Sequence, residues 1–217
     1  MDQKYYPYGE TEIEYLKKKD KKLAVVIELL GHPERPLDDD LFLAIVHSIV
    51  GQQISTKAAA TIWGRMQENL GEITPESIVC AGTDQLQSFG MTFIKAQNIV
   101  SFAEKIADRE FDLDAIYSMT DKEAIEALSS LKGIGVWTAE MILLHCLKRP
   151  DIVSYGDLAI LRGMRMVYRH RKIDRKLFEK YRKRYSPYGS VASIYLWKVS
   201  SGAIEGLTDP APKKKGK

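Results

Sequence analysis

Apolar residues recur every three to four positions through most of this chain, and helix punctuation falls in the breaks between the runs. Residues 11–30 read as one helix on Ile13, Leu16, Leu23, Val26, Ile27 and Leu30, interrupted by the charged run from Lys17 to Lys22. Gly31, Pro33 and Pro36 stop it, since none of the three favours a helix interior. Residues 38–50 predict a second helix, in which Leu41, Phe42, Ile45, Val46, Ile49 and Val50 are too apolar for an exposed face. Ser55 can cap a third, running to about Leu70, where Ala58, Ala59 and Ala60 allow close packing. Thr74-Pro75-Glu76 is a helix start, with a capping hydroxyl, a proline at the first position and an acid at the positive end of the dipole. Residues 84–89 predict a short helix stopped by Gly90, residues 92–107 a longer one and residues 111–117 a turn or short helix. Thr120 and Glu123 form a capping box for a helix to about Leu131. Helices over 136–147, 157–168, 174–184 and 190–203 complete the set. No period-2 run of β-branched residues interrupts this pattern, so the expected fold is all-α.

Composition narrows the class. A chain of 217 residues can bury one good core or two small ones side by side. With 45% hydrophobic and 28% charged residues it falls among ordinary globular proteins. No apolar run approaches the roughly 20 residues of a membrane span, so no membrane partner is expected. The N-terminus lacks the basic-then-apolar order of a signal peptide, which makes the cytoplasm the default location. Cys80 and Cys146 fit a reducing compartment as buried thiols.

Charge changes the picture only through its distribution. The net value is +3, yet Arg162, Arg165, Arg169, Arg171, Lys172, Arg175, Lys176, Lys180, Arg182, Lys183 and Arg184 crowd one stretch. The chain ends in Lys213, Lys214, Lys215 and Lys217, within a basic tail expected to be disordered over 208–217. Clustered basic charge is the footprint a polyanion needs, although a solvated helix face looks the same. His32, His47, His145 and His170 are scattered without ligand spacing, so no metal or other cofactor is expected.

Candidate chemistry concentrates between Leu131 and Asp157. In Leu131-Lys132-Gly133-Ile134-Gly135 two glycines flank one apolar residue between helices, which permits a hairpin with positive φ and close backbone approach. Amides at the start of the following helix then face outward with the dipole behind them, and a DNA phosphate fits such a site. Asp157, after Gly156, starts a helix, where amide hydrogen bonds favour the ionised carboxylate.

Taken together, Leu-x-Gly-Ile-Gly-x-Trp-Thr-Ala from Leu131, then Gly156-Asp157, Pro187, Ser190, Ala192 and Trp197 resemble the helix-hairpin-helix superfamily of DNA glycosylases. The 3-methyladenine DNA glycosylase II branch, which acts on alkylated bases, is the most similar, and Gly51-Gln52-Gln53-Ile54-Ser55 resembles that branch's Gly-Gln loop. The resemblance spans about residues 39–198 and implies a compact form without the N-terminal β-domain of some members. It implies two helical subdomains flanking a DNA-binding groove, one over 37–149 ending in the hairpin, the other joining 1–36 to 150–217.

The same resemblance implies roles. Asp157 becomes the catalytic carboxylate, stabilising oxocarbenium character on the sugar. Trp137, Trp197, Met141 and Leu158 become the pocket wall, Met141 and Leu158 standing where some members carry tyrosine. Gln52, Gln53, Lys132, Gly133, Ile134, Gly135 and Thr138 become DNA contacts, with Gln53 the candidate wedge for the gap left by an extruded nucleotide and Gln52 a candidate brace. Bifunctional members place a Schiff-base lysine where this chain has Trp137, and an indole cannot form an imine. Pro187-Tyr188-Gly189-Ser190 departs from the Pro-Trp-Arg-Ser frequent in close relatives, which opens the question of substrate range. The resemblance also allows a monovalent cation on hairpin carbonyls.

The expected activity is thus monofunctional hydrolysis of the N-glycosidic bond of alkylated purines in duplex DNA, by a monomer at the bacterial nucleoid or in a nucleus. Two alternatives stay open: a bifunctional glycosylase/lyase for oxidised bases, and a non-catalytic module that binds DNA structure.

Overall fold

The structure is a computed structural model, and it describes residues 4–212. Twelve helices and no strand ladder occur among these residues; one isolated antiparallel bridge joins Tyr5 to Pro36. The chain divides into two compact units, residues 38–147 and the segments up to 37 and from 148 onward.

The terminal unit begins with α1 (Glu10–Lys19) and α2 (Lys21–Leu30), so the single helix expected over 11–30 is two. Asp20 makes the break. Its backbone is extended, and its Oδ1 accepts the Lys22 and Leu23 amides at 3.0 Å each, capping α2. The surrounding lysines mask this cap in the sequence. Asp20 is 2% exposed, and its Oδ2 takes the Tyr168 hydroxyl and the Arg184 guanidinium, both at 2.9 Å. A buried carboxylate is tolerable only with such a full set of donors. Burial first, then the adjacent Tyr185 hydroxyl and the Asp20 carboxylate, push the Tyr168 hydroxyl far above its ordinary pKa.

The rest of this unit is α10 (Leu158–Tyr168), α11 (Arg175–Tyr185) and α12 (Gly189–Ser200). Helix α12 is buried along nearly its whole length, and α10 lies against it. Gly163 makes this approach possible: a Cβ there would run into the Leu196 carbonyl. The extended segment before α10 is strapped to the start of α12, with Ser190 Oγ accepting the Ile152 amide at 3.0 Å and Ser193 donating to the Ile152 carbonyl at 2.8 Å. Asp151 accepts from the Gly189 amide at 3.1 Å and the Ser186 hydroxyl at 2.6 Å. The unusual Tyr188-Gly189-Ser190 stretch therefore helps to fix the approach to Asp157.

Much of the basic cluster is spent on the fold. Arg184 serves Asp20, Arg182 donates to the Asp151 carbonyl at 3.3 Å, and Arg175 pairs with Glu179 at 3.0 Å while covering the Tyr155 ring. Arg165 grips Asp209 through two bonds of 2.9 and 2.6 Å. Sequence reading puts Asp209 in a disordered tail; instead it is tied to α10, and only the expectation for Lys213, Lys214, Lys215 and Lys217 lies outside the described residues.

The central unit holds α3 (Leu41–Gly51), α4 (Thr56–Leu70), α5 (Pro75–Ser88), α6 (Phe93–Ala107), α7 (Leu113–Ser118), α8 (Asp121–Ser129) and α9 (Val136–His145). The predicted caps at Ser55, Thr74 and Thr120 are all made. Gly82, at φ 69°, kinks α5, so the short helix expected over 84–89 is its second half. Ile45, Val46, Ile49 and Val50 of α3 are buried with Ile99 and Phe102 of α6, and Phe42 stacks on Phe102 with ring centroids 5.3 Å apart. Cys146 is a buried thiol, whereas Cys80 is exposed on α5, against expectation.

Candidate active site and nucleic-acid interface

Helices α8 and α9 meet in the predicted hairpin. Gly133 has φ 86°, the left-handed region, and a Cβ there would come within 2.7 Å of the Asn98 amide nitrogen. Both facts favour glycine. Gly135 is extended instead, at φ −92°, and caps α9 with no side-chain bond to the first-turn amides. A helix start without a capping side chain keeps its dipole available to an anion. Lys132 is exposed beside it, as are Val136 and Trp137 at 57% and 47%.

Two of the expected contact residues have buried side chains. The Ile134 side chain is buried and its amide donates to the Leu131 carbonyl at 3.1 Å, so Ile134 pins the hairpin. The Thr138 side chain is also buried, facing away from solvent. Met141, further along α9, is half-buried.

The Gln52-Gln53 loop lies against this hairpin within the central unit. Gln52 caps α3, and its side-chain amide donates to the Gly133 carbonyl at 2.7 Å. Gln53 is exposed and takes φ 56°, an uncommon conformation for a residue with a Cβ. Lys95 of α6 holds the loop from beneath. Its ammonium donates to the Val50 carbonyl at 2.9 Å and makes a short bond to the Gln52 carbonyl. Burial pushes the Lys95 pKa below the ordinary lysine value.

Asp157 caps α10 in the terminal unit. Its Oδ1 accepts the Ala159 and Ile160 amides at 2.8 and 2.9 Å, and its Oδ2 accepts the Trp197 indole N–H at 3.2 Å. Only 6% of the residue is exposed, whereas the adjacent Leu158 is 81% exposed. The carboxylate thus sits recessed at the edge of an open surface. Trp197 is half-buried, and the Arg35 guanidinium lies over its ring, 5.0 Å from the centroid. The expected stacking wall therefore has one face occupied by a cation.

Arg35, Lys95 and Asn98 escape sequence reading. Arg35 stands in the Gly-His-Pro-Glu-Arg-Pro break, which signals only a helix stop, and Lys95 and Asn98 read as ordinary polar positions of an amphipathic α6. No local signal marks any of them.

An all-helical chain with an uncapped hairpin, a glutamine loop and a recessed helix-capping aspartate has the parts of a helix-hairpin-helix base-excision protein. Residues 46–187 match the HhH-GPD superfamily base excision DNA repair protein family, and the chain belongs to that superfamily. DNA is its partner. It is 30% identical over 198 residues to DNA-3-methyladenine glycosylase 1 of Schizosaccharomyces pombe, covering 88% of this chain and 86% of that protein. A crystal structure of a DNA-3-methyladenine glycosidase from Bacillus halodurans is similar at TM-score 0.85 and 31% identity, over 95% of this chain and 97% of the other. The S. pombe 3-methyladenine DNA glycosylase in complex with abasic DNA is similar at TM-score 0.76 and 29% identity, over 88% and 97% of the two chains.

Proposed function

We propose that this protein is a monofunctional DNA glycosylase that releases alkylated purines of the 3-methyladenine type from duplex DNA as the first step of base excision repair. The observation that carries this reading is the Asp157 carboxylate, held by two α10 amides and the Trp197 indole in a position only 6% exposed. The bond that breaks joins C1′ to the base nitrogen, and its electrons leave with the base. An alkylated purine already carries positive charge, so it leaves as a neutral molecule. The sugar is left with oxocarbenium character, which a fixed anion stabilises without reorganising. Water then bonds to C1′ and releases its proton to solvent, completing the abasic site.

In this reading the α9 start and Lys132 grip phosphate, Gln53 fills the gap in the stack, and Trp137, Met141, Trp197 and Leu158 shape the pocket. A monomer suffices for these roles. The names of the similar proteins support the substrate class, and Trp137 at the step where lyases carry lysine supports hydrolysis alone.

The test is to incubate the protein with randomly methylated DNA and identify what is released. Free methylated purines with intact strands are expected. Strand cleavage, together with a protein–DNA adduct trapped by borohydride, would instead establish a lyase.

A further inference from the structure

We infer that Lys95 and Gln52 form a clamp that locks the Gln53 loop to the phosphate-gripping hairpin, making Lys95 a positioning residue for nucleotide extrusion. The inference rests on the proposed wedge role of Gln53.

The geometry follows from what each group needs. Helix α3 ends at Gly51, and the carbonyls of its last turn have no partner within the helix. Lys95 supplies one ammonium to two of the carbonyls at this end, those of Val50 and Gln52. A cation at a helix C-terminus is also favoured by the dipole. The same Gln52 extends its side-chain amide to the Gly133 carbonyl at 2.7 Å. Three pieces of chain, α6, the end of α3 and the hairpin, are thereby joined through one residue. Asn98, one turn along α6 from Lys95, packs against Gly133 of the hairpin.

Gln53 follows directly, with φ 56°. A residue with a Cβ in that region is held by its surroundings, since its own preference lies elsewhere. The clamp provides those surroundings. A wedge entering a base stack works against the unstacking cost, which is a few kcal/mol. A loop that could relax would yield before the stack did. The Lys95 ammonium is committed to the Val50 and Gln52 carbonyls.

Lys95→Met removes the charge while retaining much of the length, and Lys95→Arg retains the donors. On a duplex carrying 2-aminopurine beside a methylated base, Lys95→Met should lose the fluorescence rise that reports extrusion. Single-turnover base release at saturating enzyme should fall about tenfold or more. Affinity for undamaged duplex should change less than about threefold, because the hairpin grip survives. Lys95→Arg should restore most of the signal. Adding Lys95→Met to Gln53→Ala should cost little beyond Gln53→Ala alone, as expected when two residues act through one device. Gln52→Ala, at the half-buried loop position, gives the same selective loss and serves as the second variant should Lys95→Met fold poorly.

Native fluorescence and rate in Lys95→Met or Gln52→Ala would overturn the inference. So would losses that add in full to that of Gln53→Ala, or undamaged-duplex affinity falling in step with the rate. If the wild-type protein releases no base at all, the functional reading fails while extrusion and affinity still test the clamp.

Discussion

At the scale of single residues, Asp157 and Trp197 act as a pair. The indole N–H fixes the second carboxylate oxygen after the two backbone amides have fixed the first, so the charge can neither rotate away nor follow solvent. Hydrogen bonds to a charged group contribute about 1.5–3 kcal/mol. Trp197→Phe keeps an aromatic ring and removes the donor, and single-turnover base release should fall about ten- to a hundredfold. Binding of undamaged DNA should hardly change. Arg35 lies over the indole face, a contact that the sequence motif does not announce. Trp197 is legible as an aromatic of the site, but its bond to Asp157 and its cationic cover depend on residues far away in the chain.

At the scale of elements, the helices were largely readable because caps, prolines and glycine stops act locally. The hairpin glycines and the capping Asp157 belong to the same local grammar. Asp20 was hidden by its lysine neighbours, and the Lys95–Gln52 bridge has no local signature because its partners lie on three separate helices or turns. The contact of α10 with α12, which brings Trp197 to Asp157 and depends on Gly163, is likewise not announced by the sequence pattern. Gly163→Ala forces that contact apart. Overpacking of this kind costs about 1–3 kcal/mol, and the melting temperature should drop by about 2–4 °C per kcal/mol. The segment after α12 offers a pH test. Arg165 holds the Asp209 carboxyl below the ordinary carboxylate range. A depressed folded value means that the pair's stabilisation is present above the ordinary pKa near about 4 and is lost as pH falls through the depressed one. The difference in melting temperature between wild type and Asp209→Asn should therefore be full at neutral pH and vanish in acid.

For the whole molecule, the reading is a division of labour within a helical base-excision protein. In the proposed function the hairpin and the Gln53 loop of the central unit hold DNA, and Asp157 of the terminal unit supplies the carboxylate. Trp137, exposed on the first turn of α9, has no amine with which to attack a sugar, so borohydride should trap no adduct during turnover. Asp157 carries the account's central claim. Asn is as good a helix cap as Asp, so Asp157→Asn preserves α10 while removing the charge and the acceptor for the Trp197 indole. Its loss of rate should exceed that of Trp197→Phe. Single-turnover release of methylated purines should fall by at least two to three orders of magnitude, with duplex affinity retained. Release at the native rate by Asp157→Asn would contradict the account.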